Sequence, residues 1–220
     1  MKRILYHGSD RIIEEPIYRY GNVHNDYGLG FYCCTNFGLA KEWASRKFGK
    51  GFVNKYELRD DRLKILDLTK GDYNNILIWV ALLINNRTLS SNIQQQYKKN
   101  IDFLLENYLI DVTKYDVVIG YRADDAYFKF PESFISNNLT VESLDRIYKA
   151  GDLGKQYVLI SKRAFRLVKF IDFIETDNVA KESFYKRVIG ANKEYNKYIN
   201  TDLDIKENKI EDLIKKHDRK

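Results

Sequence analysis

Tyr27-Gly28-Leu29-Gly30-Phe31-Tyr32-Cys33-Cys34-Thr35 is the stretch whose reading decides the fold. Two glycines run straight into an aromatic, β-prone segment, and Asn36 then offers the side-chain acceptor that opens helices. Phe37, Ala40, Ala44 and Phe48 recur behind it at helical spacing. The segment predicts a strand over 30–35 followed directly by a helix over 36–48. The glycines also bring backbone close to something flat, with Tyr32 able to stack on it. Phe31 and Tyr32 could equally be core and surface partners. A phosphate-cradling loop is excluded, because the Walker lysine is missing and cysteine stands where GxGxxG needs its third glycine.

Outward from this segment the pattern is strand-rich. Residues 3–6 read as a short strand ending in the polar turn His7-Gly8-Ser9. Residues 52–58 alternate in strand fashion, and 64–68 form another short strand. The middle is helical. Residues 72–86 carry the apolar run from Ile76 to Ile84, a buried helix by its length. Residues 92–108 place Ile93, Tyr97, Ile101, Leu104, Leu105 and Tyr108 on one stripe. Strand signals return at 116–120 and 126–130. Thr140 can cap a helix carrying Val141, Leu144, Ile147 and Tyr148, which Gly151 stops. Residues 156–161 and 165–171 read as two closing antiparallel strands. From Lys181 a helix presents Phe184, Val188, Ala191, Tyr195 and Ile199 on one face. Strands at both ends of a helical middle predict an α+β domain, not an alternating parallel sheet. One domain over 1–200 is expected, with a helical insertion at 71–115 and a charged helical tail at 201–220.

Composition narrows the function classes. The chain has 220 residues, is 44% hydrophobic and 31% charged, and can therefore bury a core. Its longest apolar run is too short for a bilayer, and the amino-terminal segment enters a polar turn without a leader-like stretch. A soluble cytoplasmic protein is expected, away from any membrane. The only cysteines, Cys33 and Cys34, are neighbours that cannot comfortably bridge each other, which suits a reducing compartment. His7, His24 and His217 show no metal-ligand spacing, so no metal is expected. The net charge is +6, and residues 155–200 hold ten basic against five acidic side chains. Such a face could meet phosphates, but a solvated lysine-rich surface is the plainer reading.

Three places can carry chemistry. In Tyr6-His7-Gly8-Ser9, Gly8 allows a ligand near the backbone and His7 and Ser9 offer hydrogen bonds beside it, although an ordinary β-turn has the same composition. Tyr32 and the glycine pair are the second. The third is Tyr121-Arg122-Ala123-Asp124-Asp125, directly after an apolar strand. Close carboxylates there can share a proton or bind a ribose, or they can cap their own turn.

Taken in order, Tyr6-His7-Gly8-Ser9, Gly28-Leu29-Gly30-Phe31-Tyr32 and Lys155-Gln156-Tyr157-Val158-Leu159-Ile160 resemble the three core motifs of ADP-ribosyltransferases. The likeness is to the diphtheria-toxin and poly(ADP-ribose) polymerase branch. It is closer still to an uncharacterised bacterial family with HGS, GxGFY and A-D-D signatures and a glutamine at the third position. It spans residues 3 to 199 and implies a split antiparallel sheet with helical insertions. NAD would be the substrate, and the acceptor a protein, nucleotide or nucleic acid. Gly8 would hold the nicotinamide amide, His7 and Ser9 the adenosine-side ribose, and Tyr32 would stack on the nicotinamide. Gly30 would let the backbone approach, and Tyr20 or Tyr27 would be a second aromatic. Gln156 stands where transferring members carry glutamate; it keeps a hydrogen-bonding handle but cannot be a base. Asp125, or failing that Asp124, would then supply the carboxylate. The resemblance implies mono-ADP-ribosylation, with an antitoxin partner if the chain is a toxin of a toxin–antitoxin or phage-defence pair. NAD hydrolysis and plain NAD or nucleic-acid binding are the alternatives.

Overall fold

The computed structural model describes residues 1–46, 50–123, 125, 127–150, 154–202 and 208–219. Among them are the strands β1 (Lys2–Ser9), β2 (Phe31–Cys34), β3 (Phe52–Arg59), β4 (Ile65–Asp67), β5 (Val117–Tyr121), β6 (Lys155–Leu159) and β7 (Val168–Glu175). They form one sheet in the order β4-β5-β6-β2-β1-β3-β7. Every neighbouring pair is antiparallel except β4 with β5. The helices are α1 (Phe37–Ser45), α2 (Ile76–Asn86), α3 (Ser91–Gln96), α4 (Lys98–Tyr108), α5 (Lys129–Ile135), α6 (Val141–Ala150), α7 (Lys162–Leu167), α8 (Asn178–Asp202) and α9 (Ile210–His217). The chain is α+β with a mostly antiparallel sheet.

Side chains one apart in a strand point to opposite faces, and the sheet uses both. On one face Leu5, Phe31, Cys33, Tyr56, Tyr157 and Leu159 pack with α7 through Ala164. On the other, Val118 and Val158 meet the helices, with Trp79, Phe103, Phe130, Phe134 and Leu144 buried among them. Cys34 and Val53 on that same face are covered by Leu39, Ala40 and Ala44 of α1. The adjacent cysteines thus face different cores, and both are free thiols.

Local chemistry explains the helix starts. Asn36 Oδ1 accepts from the Leu39 N–H at 3.1 Å, and Asn75 Oδ1 from the Leu77 N–H at 2.9 Å. Thr140 Oγ1 accepts from the Ser143 N–H at 3.1 Å. A side-chain acceptor at this position satisfies an amide that the helix itself leaves orphaned.

Several segments differ from their sequence reading. His7-Gly8-Ser9 is not a turn but the end of β1, because β3 pairs with all eight residues from Lys2↔Arg59 to Ser9↔Phe52. The strand expected at 126–130 is absent from its described residues, where 127–128 form a turn and Lys129 opens α5, whose Phe130, Phe134 and Ile135 are wholly buried. Residues 165–171 divide between α7 and β7. β6 and β7 are not partners, since β2, β1 and β3 lie between them. The helix expected over 92–108 breaks at Tyr97 into α3 and α4. Residues 208–219, read as part of a charged tail, send Ile210 and Ile214 of α9 into the main core. Phe48 and Gly151 lie outside the described residues.

No helix among the described residues is long and apolar enough to cross a membrane. No group of three or more metal-ligating side chains occurs among them either.

Candidate functional site

β1 and β2 pair at a single register, Tyr6↔Cys34. Beyond it β1 stays tied to β3 while β2 stays tied to β6, so the two strands part and residues from both faces of the sheet meet in the gap. The gap is a cleft of about 510 Å³, within the usual range for small-molecule sites. Its walls are the end of β1, all of β2, the loop from Arg11 to Asp26, the outer turn of α1 at Trp43, and Gln156 of β6. Arg11, Arg46, Arg87 and Arg122 also reach it.

His7 bridges the gap. Its Nδ1 lies 2.6 Å from the Tyr32 carbonyl oxygen, and its ring packs on Phe31 with centroids 4.6 Å apart. A carbonyl only accepts, so the proton belongs on Nδ1 and Nε2 is left as an acceptor. Burial pushes the imidazole below its ordinary pKa, against the opposing pull of the Tyr32 carbonyl. His7 is therefore a neutral acceptor at the cleft wall.

Tyr32 lines the cleft with its hydroxyl fixed. That hydroxyl donates to the Gly28 carbonyl at 2.6 Å and accepts from the Tyr27 N–H at 3.0 Å. Burial pushes it well above the usual phenol range. The ring is held by its own loop, a rigid platform.

Gly8 and Gly30 line the same cleft, but their missing Cβ atoms answer to packing. A Cβ on Gly8 would sit 2.2 Å from the Ala40 carbonyl oxygen and 2.8 Å from the Ala44 nitrogen, both backbone of α1. One on Gly30 would sit 2.6 Å from Val158 Cγ1. At both positions the space a Cβ would take is filled by the protein's own α1 and β6, while the glycine itself lines the cleft. Ser9 lies at the mouth, where its hydroxyl accepts from the Arg11 N–H at 3.3 Å.

Gln156 sits opposite both Cys34 and Gly120 in the sheet. Its Nε2 donates to Asp26 Oδ2 at 3.0 Å, while its Oε1 is buried with no hydrogen-bond partner among the described residues. Asp26, absent from the sequence-derived site, is buried and lines the cleft. Its Oδ2 also accepts from the Ala123 N–H at 2.9 Å, and its Oδ1 from Arg87 at 3.2 Å. Burial raises its pKa, against the Ala123 amide, Arg87 and Gln156, which all favour the carboxylate.

The remaining candidates divide. Tyr27 is not a cleft aromatic: it is buried in the helical core, with its hydroxyl donating to the Tyr121 carbonyl at 2.6 Å. Tyr20 does line the cleft. Asp125 stands at the rim with one oxygen 2.6 Å from Arg46 and the other 2.9 Å from Arg87. Burial alone would raise its pKa, but the Arg87 hydrogen bond and the two guanidinium charges hold it below the ordinary range. Asp124 lies outside the described residues. Trp43 lies beneath two guanidinium groups, Arg46 at 4.7 Å and Arg122 at 4.8 Å from its ring centre.

A fixed aromatic ring, buried acceptors and several arginines suit a ligand that combines a flat ring, hydroxyl groups and negative charge. A family model described as a protein of unknown function, DUF3990, matches residues 3–170, which include every cleft residue named above. No curated protein and no solved structure matches the chain.

Proposed function

We propose that this chain, which belongs to the DUF3990 family, binds NAD in the β1–β2 cleft and transfers its ADP-ribose to an acceptor inside the cell. One observation carries the reading. His7, Tyr32 and Gln156, the three residues singled out by the resemblance, come from the adjacent strands β1, β2 and β6 and line one cleft.

Each has a role its surroundings allow. The fixed ring of Tyr32 stacks on nicotinamide, and neutral His7 accepts from a ribose hydroxyl. Gln156 grips the other ribose through its unpartnered oxygen. The arginines give the diphosphate a cationic wall. Breaking the bond between ribose C1′ and the nicotinamide nitrogen sends the electron pair to the leaving nicotinamide and leaves C1′ cationic. Orientation and electrostatics do most of this work. A nucleophile then adds to C1′ and gives up its proton.

That last proton favours a second reading, NAD hydrolysis. Gln156 cannot take it, and among the described cleft residues the carboxylates of Asp26 and Asp125 are both engaged by donors. Water, which needs little activation once C1′ is cationic, is then a competent acceptor. A toxin role, held in check by a small antitoxin, fits the transferase reading by family analogy alone. Purified protein should release nicotinamide from NAD, and adenine-labelled NAD should leave label on lysate macromolecules if transfer occurs. Release without label selects hydrolysis. Neither release nor NAD binding by calorimetry would remove both readings.

A further inference from the structure

We propose that Asp26 is the positioning residue of this site: by accepting from Gln156 Nε2 it turns the Gln156 carbonyl oxygen toward the cleft as a fixed acceptor. The inference rests on the NAD reading for its consequence in turnover, but its geometry stands apart from that reading.

An amide side chain carries a donor end and an acceptor end of nearly equal size, and only its partners decide which faces where. At Gln156 the partner is a carboxylate. Asp26 Oδ2 takes the Ala123 N–H at 2.9 Å and Gln156 Nε2 at 3.0 Å, and Arg87 donates to Oδ1 at 3.2 Å. Three donors converge on Asp26 and both of its oxygens accept, so Gln156 shows it the NH₂ end. The oxygen end is left buried and unpartnered. A buried acceptor without a donor is costly, on the order of 1–3 kcal/mol, and a hydroxyl-bearing ligand removes that cost. Gln156 therefore presents to a ribose hydroxyl the same acceptor that a glutamate would. Asp26 acts through Gln156 and does not itself touch the ligand.

The same geometry makes the glutamate substitution informative. In Gln156→Glu two carboxyls would face each other at the distance of the present hydrogen bond, and they can coexist only by sharing a proton. Around them stand Arg87, which is shared with Asp125, and the phenols of Tyr27 and Tyr32. With the proton shared, the variant mimics glutamine. Once it is lost, the two repel and the acceptor swings away. Turnover of Gln156→Glu should therefore be present at low pH and fall as pH rises above the usual carboxylate range.

Four measurements on the full chain test this: amide NMR, nicotinamide release, NAD binding and melting temperature. In side-chain amide NMR spectra the Gln156 NH₂ pair, assigned by its absence in Gln156→Glu, should be displaced from free-amide positions and return to them in Asp26→Ala. Nicotinamide release should fall about 10²-fold in Asp26→Ala, as a misplaced group costs, with NAD binding less affected. Asp26→Asn, which can still accept from both Ala123 and Gln156, should keep most of the turnover, and melting temperatures confirm that each variant is folded. Free-amide positions in the wild type overturn the proposal whether or not NAD is used. So does wild-type turnover in folded Asp26→Ala, or a Gln156→Glu profile that is flat or rises with pH. A displaced amide pair in a protein that neither binds nor cleaves NAD supports the positioning and overturns the NAD reading alone.

Discussion

The Nδ1 atom of His7 lies 2.6 Å from the backbone carbonyl oxygen of Tyr32, so a side chain of β1 replaces the ladder bonds that the parting strands no longer make. The opening between the strands is held at a fixed width by this contact. The contact itself survives protonation, since Nδ1 keeps its proton, but burial disfavours the charged ring.

Acid should therefore destabilise the fold through the buried ring, not by breaking this contact. Burial holds the His7 pKa below its ordinary value, so between that lowered value and about 6.5 the unfolded chain binds a proton that the folded chain refuses. This contribution to stability is complete above about pH 6.5 and is lost as pH falls through the lowered value. Melting temperature followed over that range should drop less steeply in His7→Gln than in the wild type. Identical slopes would show that His7 does not titrate with folding.

The Tyr32 ring and its hydroxyl do separate jobs. Stacking of a base-like ring contributes about 1–3 kcal/mol, so Tyr32→Ala should weaken NAD binding roughly tenfold or more. Tyr32→Phe keeps the ring but frees the Gly28 carbonyl and the Tyr27 amide, which the hydroxyl now joins. Its affinity should drop by only a few-fold. Calorimetry on both variants decides, and equal affinity in wild type and Tyr32→Ala would exclude stacking.

Gly8→Ala addresses what the glycine is for. Its added methyl would meet the Ala40 carbonyl oxygen at 2.2 Å, and backbone of a packed helix cannot step aside without moving the whole element. Forced overpacking of this kind costs about 1–3 kcal/mol or more. A domain of this size should then melt roughly 2–12 °C lower. Thermal melts and NAD titrations on one preparation separate the roles. An unchanged melting temperature with lost NAD binding would return Gly8 to the ligand.

How much of this was legible in the sequence follows from where each signal sits. The strand 31–34, the Asn36 cap and the α2 run are written in local spacing, and they form as that spacing suggests. Residues 126–130 misled because Tyr127, Phe128 and Phe130 suit a pleated surface as readily as a buried helix turn. Only the surrounding helices decide between the two. His7-Gly8-Ser9 carries turn-like residues, yet β3 pairs with every one of them. Asp26 had no local signal at all. It is one acid in the polar loop Asn25-Asp26-Tyr27-Gly28, and its partners Arg87, Ala123 and Gln156 lie 61, 97 and 130 residues away. Such a site exists only after folding.

Asp125 supports the last prediction. The sequence offered it as the missing general base, since it follows an apolar strand and has arginine nearby. In the fold it joins Arg46, just past α1, to Arg87, just past α2, with one carboxylate oxygen on each. A base must accept a proton, and these two guanidinium groups hold the carboxyl below its usual range. Its side chain is also 60% exposed, so the ion pairs contribute little, on the order of 0–1 kcal/mol. Asp125→Asn should then lower the melting temperature by at most a few degrees and leave nicotinamide release within about twofold. A carboxyl with a depressed pKa contributes its share above the unfolded value of about 3.9 and loses it as pH falls below that. The small stability difference between wild type and Asp125→Asn should accordingly be present at neutral pH and vanish in acid. NAD affinity should hold or rise, because the substitution removes the Asp125 counter-charge from Arg46 and leaves Arg87 paired with Asp26 alone. General bases contribute about 10²–10⁴ in rate. A loss of transfer on that scale, at unchanged NAD affinity and folding, would restore Asp125 as the base and refute its assignment as a tie between two arginines.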